Sequence, residues 1–147
     1  MTGTVHDNHT IEIPIIITGG RKRHSREDYE TLRTAVSSYV SEKSGESTGP
    51  VRVVIVQGGC VDGVDSIARQ LAANEGYNVE TYPADFGHHP ENAVGRSNQT
   101  MVDRGAELCL AMPNATVDGP SNGTWDMVRR ATAAGIETRI YRVGSIV

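Results

Sequence analysis

Aromatic residues are scarce in this 147-residue chain: one Trp, one Phe and five Tyr make up 5% of it. So few rings leave little from which to build the stacking platforms that hold single-stranded nucleic acid. An excess of positive charge is missing as well. Fourteen Lys and Arg stand against 18 Asp and Glu, a net charge of −4, which argues against a general nucleic-acid or anionic-membrane binder. Cysteine is limited to Cys60 and Cys109, far apart and without C-x-x-C spacing, so a reduced, cytoplasmic protein is expected. Long apolar runs are absent too: Met1 to Thr10 is polar with no apolar h-region, and no run approaches 18 residues. Neither a secretory leader nor a membrane span is therefore expected.

Glycine, by contrast, is plentiful, and its placement directs attention to three loops. The chain turns on the stretch from Val51 to Asp65. The β-branched run Val51 to Val56 reads as a strand buried on both faces. Gly58, Gly59 and Gly63 follow, and Val64, Ile67, Ala68, Leu71 and Ala72 recur at helical spacing, so a helix is expected from near Asp62 to near Gly76. A strand, a glycine turn and a helix start can aim backbone N–H groups at an anion. The same pattern also fits a tight turn that needs positive φ. It is neither the G-x-G-x-x-G dinucleotide fingerprint nor a P-loop, which would need a lysine.

The rest of the chain repeats the alternation. Residues 1–10 are expected to be a flexible lead-in. Ile11 to Ile17 is a strand in which Pro14 fits at the start or at a sheet edge, and it runs into Thr18-Gly-Gly-Arg21. Ser25, with Asp28 three residues on, opens a helix carrying Tyr29, Leu32, Val36, Tyr39 and Val40 on one face. Ser44 to Pro50 is a polar loop. Asn78 to Tyr82 is a strand, Ala84 to Pro90 a loop, and Glu91 to Arg104 a helix weakened by Gly95. Glu107 to Met112 is a strand, Thr124 to Ala134 a helix closed by Gly135, and Ile136 to Val143 the last strand. This order predicts a single α/β, Rossmann-like domain over 11–147, with about five parallel strands and helices on both faces.

Ligands of such sheets bind at the carboxyl ends of the strands. Three loops there, Thr18–Arg21, Gln57–Asp65 and Pro113–Thr124, pair glycine with a hydroxyl, amide or guanidinium. The candidate ligand-binding residues are Thr18, Gly19, Gly20 and Arg21 in the first loop, and Gly58, Gly59, Cys60, Asp62, Gly63 and Asp65 in the second. Asn98, Ser121, Asn122, Gly123 and Thr124 complete the set. Thr124 and its neighbours suit a phosphate, whereas Ser121 could simply cap the helix. Arg21 could clamp a phosphate with two bonds, or belong to a solvated basic run. Cys60 at a helix start is a conceivable nucleophile, although no partner His is identifiable and a small buried residue fits as well. Asp62 and Asp65 suit ribose hydroxyls or the helix dipole. His88 and His89 point apart on an extended loop with no supporting ligand set, so neither a metal nor a further cofactor is expected.

Five motifs in order resemble the SLOG superfamily, which includes the Lonely Guy phosphoribohydrolases and the DNA-processing protein A family. They are Thr18-Gly-Gly-Arg21, Gly58 to Asp65, Pro83-Ala-Asp-Phe86, Asn98-Gln-Thr-Met101, and Gly123-Thr-Trp-Asp-Met-Val128 running to Ala134-Gly-Ile136. The likeness spans about residues 11–143 and is strongest to the small, stand-alone branch related to YspA and YpsA. It implies a nucleotide or nucleotide-derived small molecule as partner, and association into homodimers, to which Tyr29, Tyr39 and Trp125 lend faint support. The phosphoribohydrolase motif P-G-G-x-G-T-x-x-E has a catalytic glutamate where this chain has Met127, and an Arg-Lys pair where it has Ser97-Asn98. Asp85, Arg96 and Asp126 are the remaining catalytic candidates, none with an assigned role. Binding for sensing or sequestration is the leading expectation. Hydrolysis of a nucleoside phosphate or ADP-ribose-like compound, and a structural or protein-interaction role, are its rivals.

Overall fold

A computed structural model of the chain describes residues 10–45 and 49–144. The expected lead-in therefore lies outside the described residues except for Thr10, as do positions 46–48 of the expected polar loop. The elements alternate strictly: β1 (Ile11–Gly19), α1 (Arg26–Gly45), β2 (Val51–Gln57), α2 (Val64–Glu75), β3 (Asn78–Thr81), α3 (Ala93–Arg104), β4 (Leu108–Met112), α4 (Asn122–Ala133) and β5 (Glu137–Ile140). One 3-10 turn, Thr116–Asp118, interrupts the loop before α4. All strand pairs are parallel, in the order β3-β2-β1-β4-β5.

The period-two burial of the strands divides the core. Ile13, Ile15 and Ile17 of β1, Val53 and Ile55 of β2, and Leu108, Leu110 and Met112 of β4 pack with Leu32, Val36 and Tyr39 of α1 and Ile67 and Leu71 of α2. The alternate residues Ile16, Val54, Val56 and Cys109 pack with Met101 and Val102 of α3 and Met127 and Ala131 of α4. This is the expected three-layer α/β, Rossmann-like domain. Among the described residues, no helix is long and apolar enough to cross a membrane.

Several boundaries differ from expectation for identifiable reasons. α2 starts at Val64 rather than near Asp62, because Gly63 precedes it with φ 75° and ψ −147°, outside helical space. β1 continues to Gly19, held by β4 through the Gly19–Met112 pair. α1 takes in Ser44 and Gly45, and β5 stops at Ile140. Pro14 sits in the central strand, not at an edge or at the first residue. Its carbonyl accepts from Glu107 N–H at 3.0 Å, and the β4 ladder begins only at Ile15–Leu108. The missing proline N–H thus faces a point that the β4 ladder has not yet reached. At α1 the expected cap is present on both sides: Asp28 N–H donates to Ser25 Oγ at 3.0 Å, and Ser25 N–H donates to Asp28 Oδ2 at 3.1 Å.

Candidate functional site: a cleft at the switch point

The chain leaves β1 toward β2 on one side and β4 toward β5 on the other, so the connections diverge between β1 and β4. Divergence of that kind opens a crevice at the carboxyl ends of the strands. Here it forms a cleft of about 440 Å³, bordered by the loops after β1, β2 and β4 and by one face of α3. That volume falls within the roughly 300–1,000 Å³ usual for small-molecule sites.

The glycines let these loops interlock. Gly20 N–H donates to Met112 O at 3.0 Å, and a Cβ on Gly20 would lie 1.9 Å from Asn114 Oδ1. That oxygen accepts from Lys22 N–H at 3.0 Å, while Asn114 N–H donates to Ser121 Oγ at 2.8 Å. From the other side, Val64 N–H donates to Gly20 O at 3.3 Å, and a Cβ on Gly63 would meet that same oxygen at 2.3 Å. Ser121 makes no side-chain cap to α4, so its hydroxyl serves the loop rather than the helix end.

Beneath this layer runs a buried cross-brace. Arg23, 3% exposed, donates from Nε to Asp28 Oδ1 at 2.8 Å, and from Nη1 to Pro113 O at 2.8 Å and Tyr141 O at 2.9 Å. One guanidinium thereby ties the start of α1 to the ends of β4 and β5. The planar fork of arginine suits three fixed acceptors better than an ammonium would.

Of the residues picked out from sequence, Thr18, Gly19, Gly20, Arg21, Gly58, Cys60, Asp65, Asn98, Ser121, Asn122, Gly123 and Thr124 all border the cleft. Gly59, Asp62 and Gly63 do not. The Cβ direction at Gly59 runs into Thr81 of β3, Gly63 abuts the first loop, and Asp62 is exposed. The cleft does not bring the catalytic candidates together. Asp85 is exposed and bonded to His88, which holds its carboxyl below the usual range. Arg96 is exposed and donates to Asn92 Oδ1. Burial would push the Asp126 carboxyl up, but the bonds from Arg130 and Asn98 outweigh it and leave it below the ordinary carboxylate range. Met127 is fully buried against the sheet.

The acidic and thiol groups at the cleft have local duties. Asp65 Oδ2 accepts from Cys60 N–H at 2.9 Å, and burial raises its carboxyl against that bond. Burial, followed by the nearby Asp65 charge, pushes the Cys60 thiol up as well, opposite to what an activated nucleophile needs. Cys109 lies deep in the core and is pushed up to about 12 by burial. Among the described residues no His, Cys, Asp and Glu cluster could hold a metal ion.

Sequence reasoning missed the apolar wall. Val94, Ser97 and Met101 border the cleft beside Asn98. Their spacing of i, i+3, i+4 and i+7 is one face of α3, a pattern that was available in the sequence. Asn114, Asp118, Gly119 and Pro120 lie in the third loop suspected from sequence, Pro113–Thr124, but were not singled out within it, and they border the cleft as well.

Fold and cleft together define an open, doubly wound α/β domain with its ligand crevice at the topological switch point. The chain belongs to the YAcAr family, described as the YspA, cpYpsA-related SLOG family, whose profile matches residues 13–89. It is 35% identical over 127 residues to the Gene 61 protein of Mycobacterium phage D29, covering 83% of this chain and 90% of that protein. Among solved structures it is similar to the C-terminal domain of a hydrogenase from Pyrococcus furiosus. There the TM-score is 0.42 and the identity 12%, over 95% of this chain and 100% of that one.

Proposed function

We propose that this domain binds a small nucleotide-derived molecule in the switch-point cleft, for sensing or sequestration rather than turnover. The observation that carries the reading is Thr124. It is 3% exposed, borders the cleft, and no described residue bonds its hydroxyl. It lies in the first turn of α4, where the first helical N–H with a carbonyl partner is that of Trp125, so the donors before it remain for an anion. Arg21, exposed and bordering the same cleft, supplies a cation. Family membership supports the same ligand class.

Calorimetric titration with ribonucleoside 5′-monophosphates and ADP-ribose tests the reading, beside mass spectrometry of small molecules released by denaturing the purified protein. Saturable binding of at least one is expected. A folded protein that binds none and releases none overturns it. No free base should be released from AMP, GMP or CMP, since neither Met127 nor the salt-bridged Asp126 presents a proton donor to the cleft. Association into homodimers is a separate part of the proposal. The aromatic residues that suggested it are engaged within the chain: Tyr39 is buried and donates to Glu107, Tyr29 accepts from Asn74, and Arg142 covers Trp125. Sedimentation velocity at micromolar concentration reads the oligomeric state directly.

A further inference from the structure

Asn98 is 5% exposed and borders the cleft, and its amide is held in one orientation from behind. Nδ2 donates to Gly123 O at 3.1 Å and to Asp126 Oδ2 at 2.9 Å. Both partners are acceptors only, so the amide cannot be flipped without setting oxygen against oxygen. The Asp126 side is itself fixed, because Oδ2 also accepts from Arg130 Nε at 2.8 Å, and Arg130 Nη1 donates to Gln99 Oε1 at 3.0 Å. With both amide protons engaged, Oδ1 is the atom of Asn98 left without a partner among the described residues. A buried carbonyl oxygen on a residue that borders a binding cleft is costly to leave unmatched, and it disfavours ligands that bring no donor.

Position narrows what that donor is. The bond to Gly123 O places Asn98 against the first turn of α4, next to Thr124 and the unpaired helix N–H groups. In a nucleoside 5′-phosphate the sugar, not the base, is the portion nearest the phosphate, and its hydroxyls are donors. We propose that Asn98 is a specificity residue that accepts a hydrogen bond from a ribose hydroxyl, and that Asp126 is the positioning residue that sets its amide. Asn98 thereby selects ribonucleotides over deoxyribonucleotides. The inference rests on the nucleotide reading above and deepens it. It also gives Asp126 a task within the fold that involves no proton transfer.

The test compares each ribonucleoside 5′-monophosphate with its 2′-deoxy and 3′-deoxy counterparts by calorimetry on the unmodified protein. Loss of one neutral hydrogen bond predicts about tenfold weaker binding of one of the two deoxy forms. The same comparison on Asn98→Ala should show that preference collapse toward unity, because the acceptor is gone. If Asn98→Ala fails to fold, Asp126→Ala, which frees the amide to turn, should narrow the preference likewise. Equal affinity for ribo and both deoxy forms overturns this inference and leaves the nucleotide reading standing. A preference undiminished in the folded variants overturns it as well. If no monophosphate binds the unmodified protein, the nucleotide reading itself fails, and this inference falls with it.

Discussion

Thr124 and Met127 lie three residues apart on α4, and both are buried, yet they make opposite predictions. The Thr124 hydroxyl has no partner among the described residues, so Thr124→Val removes a polar group without stranding another of them. Its melting temperature should hold or rise, while affinity for the monophosphate that binds best falls about tenfold. Thermal melts and titrations of the same sample check both halves. Met127→Glu would restore the residue type of the phosphoribohydrolase motif, but it would set a carboxylate among Ile16, Val54, Val56 and Cys109. A loss of about 3 kcal/mol or more in urea unfolding is expected, with no gain of base release. Asp65 gives a pH signature. Burial raises its folded pKa above the unfolded value, so its favourable contribution is complete at acid pH and is lost as pH climbs through the folded value. Asp65→Asn should therefore melt higher than the unmodified protein at neutral pH, and the gap should close below about pH 4. Melting curves across that range decide it.

At the scale of elements, the legible features were those with a local cause. The run Val51 to Val56 announced a strand buried on both faces, because such a strand cannot alternate with polar residues, while Ile11 to Ile17 announced a strand but not its central place. The Ser25–Asp28 cap could be read from two residues. Pro14 could not be placed, since its position depends on where the β4 ladder begins relative to it, a fact about a neighbour more than 90 residues away. The same limit applies to the site. Glycine loops marked the cleft's edge, but the loop from Asn114 to Pro120 becomes a wall only through bonds to the β1 loop. In the sequence Arg23 belongs to the same basic run as Arg21 and Lys22, and nothing local distinguishes it from them. It is in fact the buried brace between α1, β4 and β5. Removing it would strand Asp28 and two carbonyls, so Arg23→Ala should cost on the order of 3–5 kcal/mol in chemical denaturation, and Arg23→Lys should recover only part of that.

Across the whole molecule, the cleft exists only when β1, β2 and β4 have docked, for each contributes a loop and no two of them enclose it. Three glycines there leave no room for a Cβ: Gly19 against Val64, Gly20 against Asn114, and Gly63 against the Gly20 carbonyl. Such contacts have no long side chain to swing aside, so the crevice is formed before any ligand arrives. They also bear on how the sequence can change over time. Gly20 and Asn114 form one lock between distant parts of the chain, because a side chain at Gly20 would first meet the Asn114 amide, whereas one at Gly63 would meet only the backbone of Gly20 and Arg21 and has no side chain to answer it. In a library that varies these three sites together, Gly63 should return as glycine, and Asn114 should give way to a smaller residue wherever Gly20 gains a side chain. Each site varied alone should return almost nothing but the parent residue.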